Sequence, residues 1–178
     1  MLYARKLTED AWFDDNGDKN AQHIDSDSAT DLKTDSHELS VWRVPDDQSN
    51  LDQIALAIAL TQSEPKGFFV ALINPEDVSE KYSWSIPIED QDGTSYYSLL
   101  NSEHKNFMVC TIDEIGYLVS QIHDQYISND KFVRYSRTKI IDIFVKAIDG
   151  GLLKLDGLRH ENKKKWELAY NEQKAIQK

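Results

Sequence analysis

At 178 residues with a net charge of −11 and 40% hydrophobic residues, the chain fits one domain able to bury a core without covalent staples. A single cysteine, Cys110, excludes an intramolecular disulfide and a thiolate metal cage. The N-terminal MLYARKLTEDAW lacks the apolar run of a signal peptide, and no segment approaches the roughly 18 apolar residues that a membrane helix needs, so a soluble cytoplasmic protein is expected.

The charge is unevenly placed. Residues 1–130 carry 25 acids against 8 bases, whereas residues 131–178 carry 6 acids against 12 bases. An acidic body disfavours general nucleic-acid binding, because each phosphate contact needs a cation, and favours encounter with basic partners.

Leu2 to Leu7 reads as a first strand, followed by the aromatic anchor Ala11-Trp12-Phe13 and a polar loop from Asp14 to Asn20. A calcium loop there would begin at Trp12 and end at His23, neither of which supplies the required oxygen ligand. The stretch around Asp92-Gly93 fails the same test, with Ile88 first and Leu99 last. A short helix through Ala29 and Leu32 follows, with N-caps available among Asp25 to Ser28. Glu38 to Val44 alternates as a strand, and Pro45 ends it.

The densest apolar stretch runs from Leu51 to Pro75. Leu51, Ile54, Ala55, Ile58 and Ala59 form one helical stripe, while Leu56, Ala57 and Leu60 fill much of the other side, so the helix is expected to be covered on more than one face. Asn50 is positioned as its cap. Phe68 to Ile73 is continuously apolar, the pattern of a strand buried on both faces. A parallel pairing of this strand with 38–44 would require a right-handed crossover.

Pro75 starts a helical turn, and Tyr82 to Ile88, interrupted by Pro87, reads as an edge strand or extended loop. Asp92-Gly93 reads as a hairpin-type turn, and Asn106 to Ile112 as a buried strand containing Cys110. Asp113 is the expected cap of a helix carrying Ile115, Leu118, Val119, Ile122 and Tyr126. Lys131 to Tyr135 reads as a strand, Ser136 or Thr138 as the cap of a helix through Ile148 ended by Gly150-Gly151, and Leu152 to Leu155 as a returning strand. The expected fold class is α+β: a single mixed sheet of about five to seven strands packed by four to five helices, with a basic C-terminal helical segment. Residues 1–160 form the domain, and 161–178 form a terminal helix packed on it through Trp166 and Tyr170 and frayed at its end.

The sequence contains no Walker loop, dinucleotide-binding glycine fingerprint, HExxH motif or nucleophile elbow. The histidines at 23, 37, 104, 123 and 160 show no metal-ligand spacing, so neither metal nor cofactor is implied. Arg5 and Arg43 lie within strand patterns, where an inward guanidinium must meet a carboxylate such as Asp31 or Asp35, or a ligand's phosphate. His104, in the polar run Asn101 to Lys105, is the single best acid/base candidate.

The reading favoured by charge is an acidic protein-binding module, of the inhibitor or immunity type, masking a basic partner through Asp14, Asp15, Asp18, Asp46 and Asp47. The alternative is an enzyme acting on a nucleotide or nucleic acid, with Arg5 and Arg43 on phosphate and His104 as acid or base. Nucleic acid has one route of contact, the basic segment with Arg134, Arg137, Lys139, Lys163, Lys164 and Lys165. Self-association through contacts of acidic body with basic tail is a third reading.

Overall fold

The structure, a computed structural model, describes residues 1–8, 12, 26–32, 34, 36–128, 131–158 and 160–176. The strands are β1 (Leu2–Leu7), β2 (Glu38–Val44), β3 (Phe68–Ile73), β4 (Ile88–Asp90), β5 (His104–Met108) and β6 (Phe132–Tyr135). The α-helices among the described residues are α1 (Ser26–Asp31), α2 (Leu51–Ala59), α3 (Pro75–Tyr82), α4 (Ile112–Ser128), α5 (Arg137–Asp149) and α6 (His160–Ile176). Single 3₁₀ segments occupy Ser98–Glu103 and Leu155–Gly157.

All six strands join one sheet in the order β4-β5-β2-β1-β3-β6, confirming the α+β class. Every pairing is antiparallel, where a mixed sheet was expected. The reason lies in the path of α2. It carries the chain from β2 to β3, which point the same way, but β1 lies between them and runs against both. The crossover is therefore split by an antiparallel strand.

β3 shows why helices must cover both faces. All six of its residues are buried. Phe68, Val70 and Leu72 enter a cluster with Ile54 and Leu56 of α2, Phe144 of α5 and Trp166 of α6. Phe69, Ala71 and Ile73 enter the opposite cluster with Val78 of α3 and Leu118, Val119 and Ile122 of α4. The period-two alternation of one strand thus feeds two cores.

The local start and stop signals account for the helix boundaries. Asn74 accepts the Glu76 amide at 3.2 Å ahead of Pro75, giving α3 two full turns rather than one. Ser136, one of the two expected caps, accepts the Lys139 amide at 3.2 Å. Asn50 makes no side-chain cap bond to α2.

Two predicted strands are corrected. The stretch 106–112 does not continue as a strand. The Glu114 carboxylate accepts the amides of Cys110 at 2.6 Å and Thr111 at 2.9 Å, and Thr111 Oγ1 accepts the Glu114 amide at 3.2 Å. This reciprocal capping box starts α4 from Thr111 rather than Asp113, ends β5 at Met108 and leaves Cys110 exposed. Leu152 to Leu155 is no strand either, because the amides of Leu152 and Leu153 turn back onto the Ala147 carbonyl at 2.9 and 3.2 Å. Gly151, at a φ of +71°, supplies the left-handed residue that this turn requires.

α6 is built into the first core. Trp166 is fully buried, its ring 4.7 Å from Phe144, and Tyr170 Oη donates to Asp149 at 2.9 Å. Trp166→Ala is expected to cost about 3–5 kcal/mol, read as a lowered urea midpoint with an unchanged slope. A loss under about 1 kcal/mol would show that α6 contributes little to the core.

Candidate functional site

β1 pairs with β3 along five residues, Tyr3 to Leu7, but with β2 only at Leu2, Tyr3 and Ala4. On its other side β2 pairs with β5, from Glu38 to Trp42. The two neighbours therefore part company after Ala4, and Arg5 spans the opening. Its Nη1 donates to the Ser40 carbonyl and its Nη2 to the Asp31 carbonyl, both at 3.0 Å. The Asp31 carboxylate is committed elsewhere, to the amide and hydroxyl of Thr8 and the indole of Trp12. Arg5 Nε is buried with no partner.

A cleft of about 230 Å³ lies beside this opening, lined by Arg5, Lys6, Trp42, Thr61, Thr94 and His104, with Ser40, Ile58 and Ser95 completing it. Trp42 and His104 face each other across the β2–β5 ladder, their rings edge to face at 5.2 Å. The far wall is the strap from Gln91 to Tyr97. His104 Nδ1 donates to the Gln91 carbonyl at 3.1 Å, and Ser95 Oγ donates to the Ala57 carbonyl of α2 at 3.3 Å. Gly93 is required there for close approach: a Cβ would stand 3.0 Å from His104 Cβ and 3.2 Å from the Trp42 ring.

The electrostatics of the cleft oppose those of the whole chain. No carboxylate is among its described lining residues, although the chain carries −11. Burial pushes the Arg5 guanidinium and the Lys6 ammonium below their ordinary pKa values, with the Asp31 carboxylate opposing the shift in both. Burial likewise lowers His104, with Lys105 adding to the effect and the Gln91 carbonyl opposing it. With Nδ1–H fixed on a carbonyl, neutral His104 keeps its lone pair on Nε2.

Arg5 and His104 are thus brought to one cleft. Arg43 is not among its lining residues. Its Nε donates to Glu103 at 2.7 Å, and this bonded carboxylate holds its pKa above the usual value. His104 is the first residue of β5 rather than a loop residue, because the preceding polar run coils into the 3₁₀ segment. Sequence reasoning passed over Lys6. Its signal is register, since alternation from Ala4 puts it on the face of the sheet that α2 covers.

Of the acidic residues expected to bind a partner, Asp14, Asp15 and Asp18 lie outside the described residues. Asp46 takes the N-terminal amine at 3.1 Å, and Asp47 accepts the Ser49 amide at 3.0 Å, both in the exposed turn after β2. Exposed acids also mark the β4 edge of the sheet. All three residues of β4 are exposed, and Glu89 and Asp92 make no ion pair among the described residues.

Among the described residues, five lysines of the basic segment are paired with carboxylates of the chain. Lys131 pairs with Asp77, Lys139 with Asp52, Lys163 with Asp156 and Glu167, Lys165 with Glu64, and Lys174 with Asp149. Lys139 also lies 4.2 Å from the Tyr135 ring centroid.

No family model, curated protein or solved structure matches the chain. Among the described residues, no group of three or more histidine, cysteine or acidic side chains could hold a metal, and no helix is long and apolar enough to cross a membrane.

The depressed His104 pKa has a measurable sign. The unfolded chain takes up this proton near 6.5 and the folded chain only at lower pH, so acidification from 6.5 downward favours unfolding. An NMR titration is expected to place the His104 midpoint below 6.5. His104→Gln is expected to flatten the stability loss in that window; a midpoint at or above 6.5 contradicts the burial.

Proposed function

We propose that the protein is an acidic binding module that masks a basic protein partner, in the manner of an inhibitor or immunity protein. The observation that carries this reading is the fate of the basic segment. Lys131, Lys139 and Lys165 are held by Asp77, Asp52 and Glu64 of the acidic body, so part of the positive charge that would meet phosphates is occupied within the chain. Such exposed pairs add little stability. Their consequence is electrostatic: they lessen the contrast between the basic quarter of the chain and its acidic body.

The β4 edge supports the same reading. A three-residue edge strand with unpaired Glu89, followed by Asp92, offers free backbone groups beside negative charge. A lysine- or arginine-bearing extended segment matches both, adding hydrogen bonds along the edge while its cations meet the carboxylates. The same charges protect the edge from pairing with another copy of itself.

A second reading draws on Arg5 and His104 lining one cleft: acid/base chemistry by His104 on a phosphate-bearing substrate. Arg43, held by Glu103 outside that cleft, has no part in it.

A tagged pull-down at low salt, with and without nuclease, tests the first reading when run beside the double variant Glu89→Lys/Asp92→Lys. One stoichiometric basic protein is expected, released as salt rises, indifferent to nuclease and reduced at least about tenfold in the variant. Equal recovery by the variant overturns the edge, and recovery dependent on nucleic acid overturns the function.

A further inference from the structure

The cleft beside the β1–β2 opening concentrates groups that suit one ligand chemistry. Lys6 is the central one. Its side chain is half-buried, and its ammonium makes no hydrogen bond or ion pair among the described residues, whereas Lys105, Lys131 and Lys139 are each bonded to a carboxylate. The Asp31 carboxylate acts on it as a charge without bonding to it, so an anion entering the cleft finds the ammonium's donors unengaged.

We infer that this cleft is a binding site for a phosphate group, carried free or as a compact monoester, with Lys6 as its principal charge contact. Two features suit phosphate, the charge on Lys6 and the hydroxyls around it. Both terminal nitrogens of Arg5 are already bonded to backbone carbonyls, so its planar fork is closed to any oxyanion and the contacts fall to other groups. What remains is a point charge on Lys6 and the hydroxyls of Ser40 and Thr94, neither of which has a bonded partner among the described residues. A point charge with several dispersed donors suits a tetrahedral oxyanion. Arg5 stays cationic beneath the site, and His104 lies across from it with Nε2 unengaged.

Size sets the limit on the ligand. About 230 Å³ holds a phosphate and a body of a few carbons, below the roughly 300–1,000 Å³ typical of sites for larger ligands. The site is independent of the protein-binding reading, since it faces the α2 side of the sheet and uses neither Glu89 nor Asp92.

Calorimetric titration with inorganic phosphate and, separately, glycerol 3-phosphate tests the assignment on the intact chain. One saturable site is expected. Lys6→Met keeps the aliphatic stem and is expected to weaken it roughly ten- to a hundredfold, the range of a lost charge-assisted hydrogen bond. Thr94→Val, a milder change at the opposite wall, is expected to weaken it about fivefold to tenfold. Lys164→Met, on exposed α6, is expected to leave it unchanged. Tighter binding of the ester assigns the remaining volume to its carbon body, and equal binding assigns the site to free phosphate. Absence of a saturable site, or equal weakening by Lys6→Met and Lys164→Met, overturns the inference. Unchanged far-ultraviolet dichroism of Lys6→Met separates lost binding from lost folding.

Discussion

β1 is bonded to β3 along five residue pairs and to β2 along three, and the mismatch dictates much of what surrounds it. β2 ends its pairing with β1 at Trp42 while staying paired with β5 on its other side, so β1 offers the Ser40 carbonyl no ladder amide. Arg5 donates to that exposed carbonyl from its own strand and ties the same guanidinium to the end of α1 through the Asp31 carbonyl. A side chain thus stands where a ladder bond would otherwise run. The cleft exists because the strands part there, and it is cationic because a cation holds them.

Around this opening the structure is conventional in its energetics. β3 feeds two apolar cores through alternate residues, and helices on both faces cover them. The strap from Gln91 to Tyr97 is the irregular part. It is fixed at one end by His104 and at the other by α2 through Ser95, and Gly93 lets it lie against Trp42. Its polar bonds bridge elements distant in sequence, so its position depends on the packing of the rest.

Legibility in the sequence followed the range of the interactions. α2, β3 and α5 were readable because burial imposes their periodicity residue by residue, with Gly150-Gly151 and Pro75 as punctuation. The capping box from Thr111 to Glu114 was also written locally, but a continuous apolar run through Val109 and Cys110 masked it. The returning strand at Leu152 failed for a similar reason: apolar content fitted a strand while a helix-ending turn took the amides. At the site, Arg5 and His104 could be singled out as polar groups in or beside strand patterns. Lys6 was open to the same reading through its alternation from Ala4; the separation of Arg43 was not, because it depends on which neighbours β2 takes at each residue. That choice rests on contacts between positions some 35 to 60 residues apart, such as Arg5 with Ser40 and Arg43 with Glu103.

The chain-wide charge follows the same logic. Its negative sum is a property of composition, whereas its local sign is a property of the fold. The fold ties lysines of the basic C-terminal quarter to acids of the body and leaves two regions of opposite character, an acidic sheet edge at β4 and a cationic cleft behind the strap. The cleft traces back to the parting of β1 and β2. Native-state hydrogen exchange on Arg5→Lys, compared with the parent chain, tests that dependence most directly. Lysine keeps the charge but cannot span both carbonyls, so loss of protection is expected at residues 5–7 and 38–41, with the β3–β6 pair unaffected. Unaltered exchange at those residues, or a uniform loss across the sheet, would contradict the role assigned to Arg5.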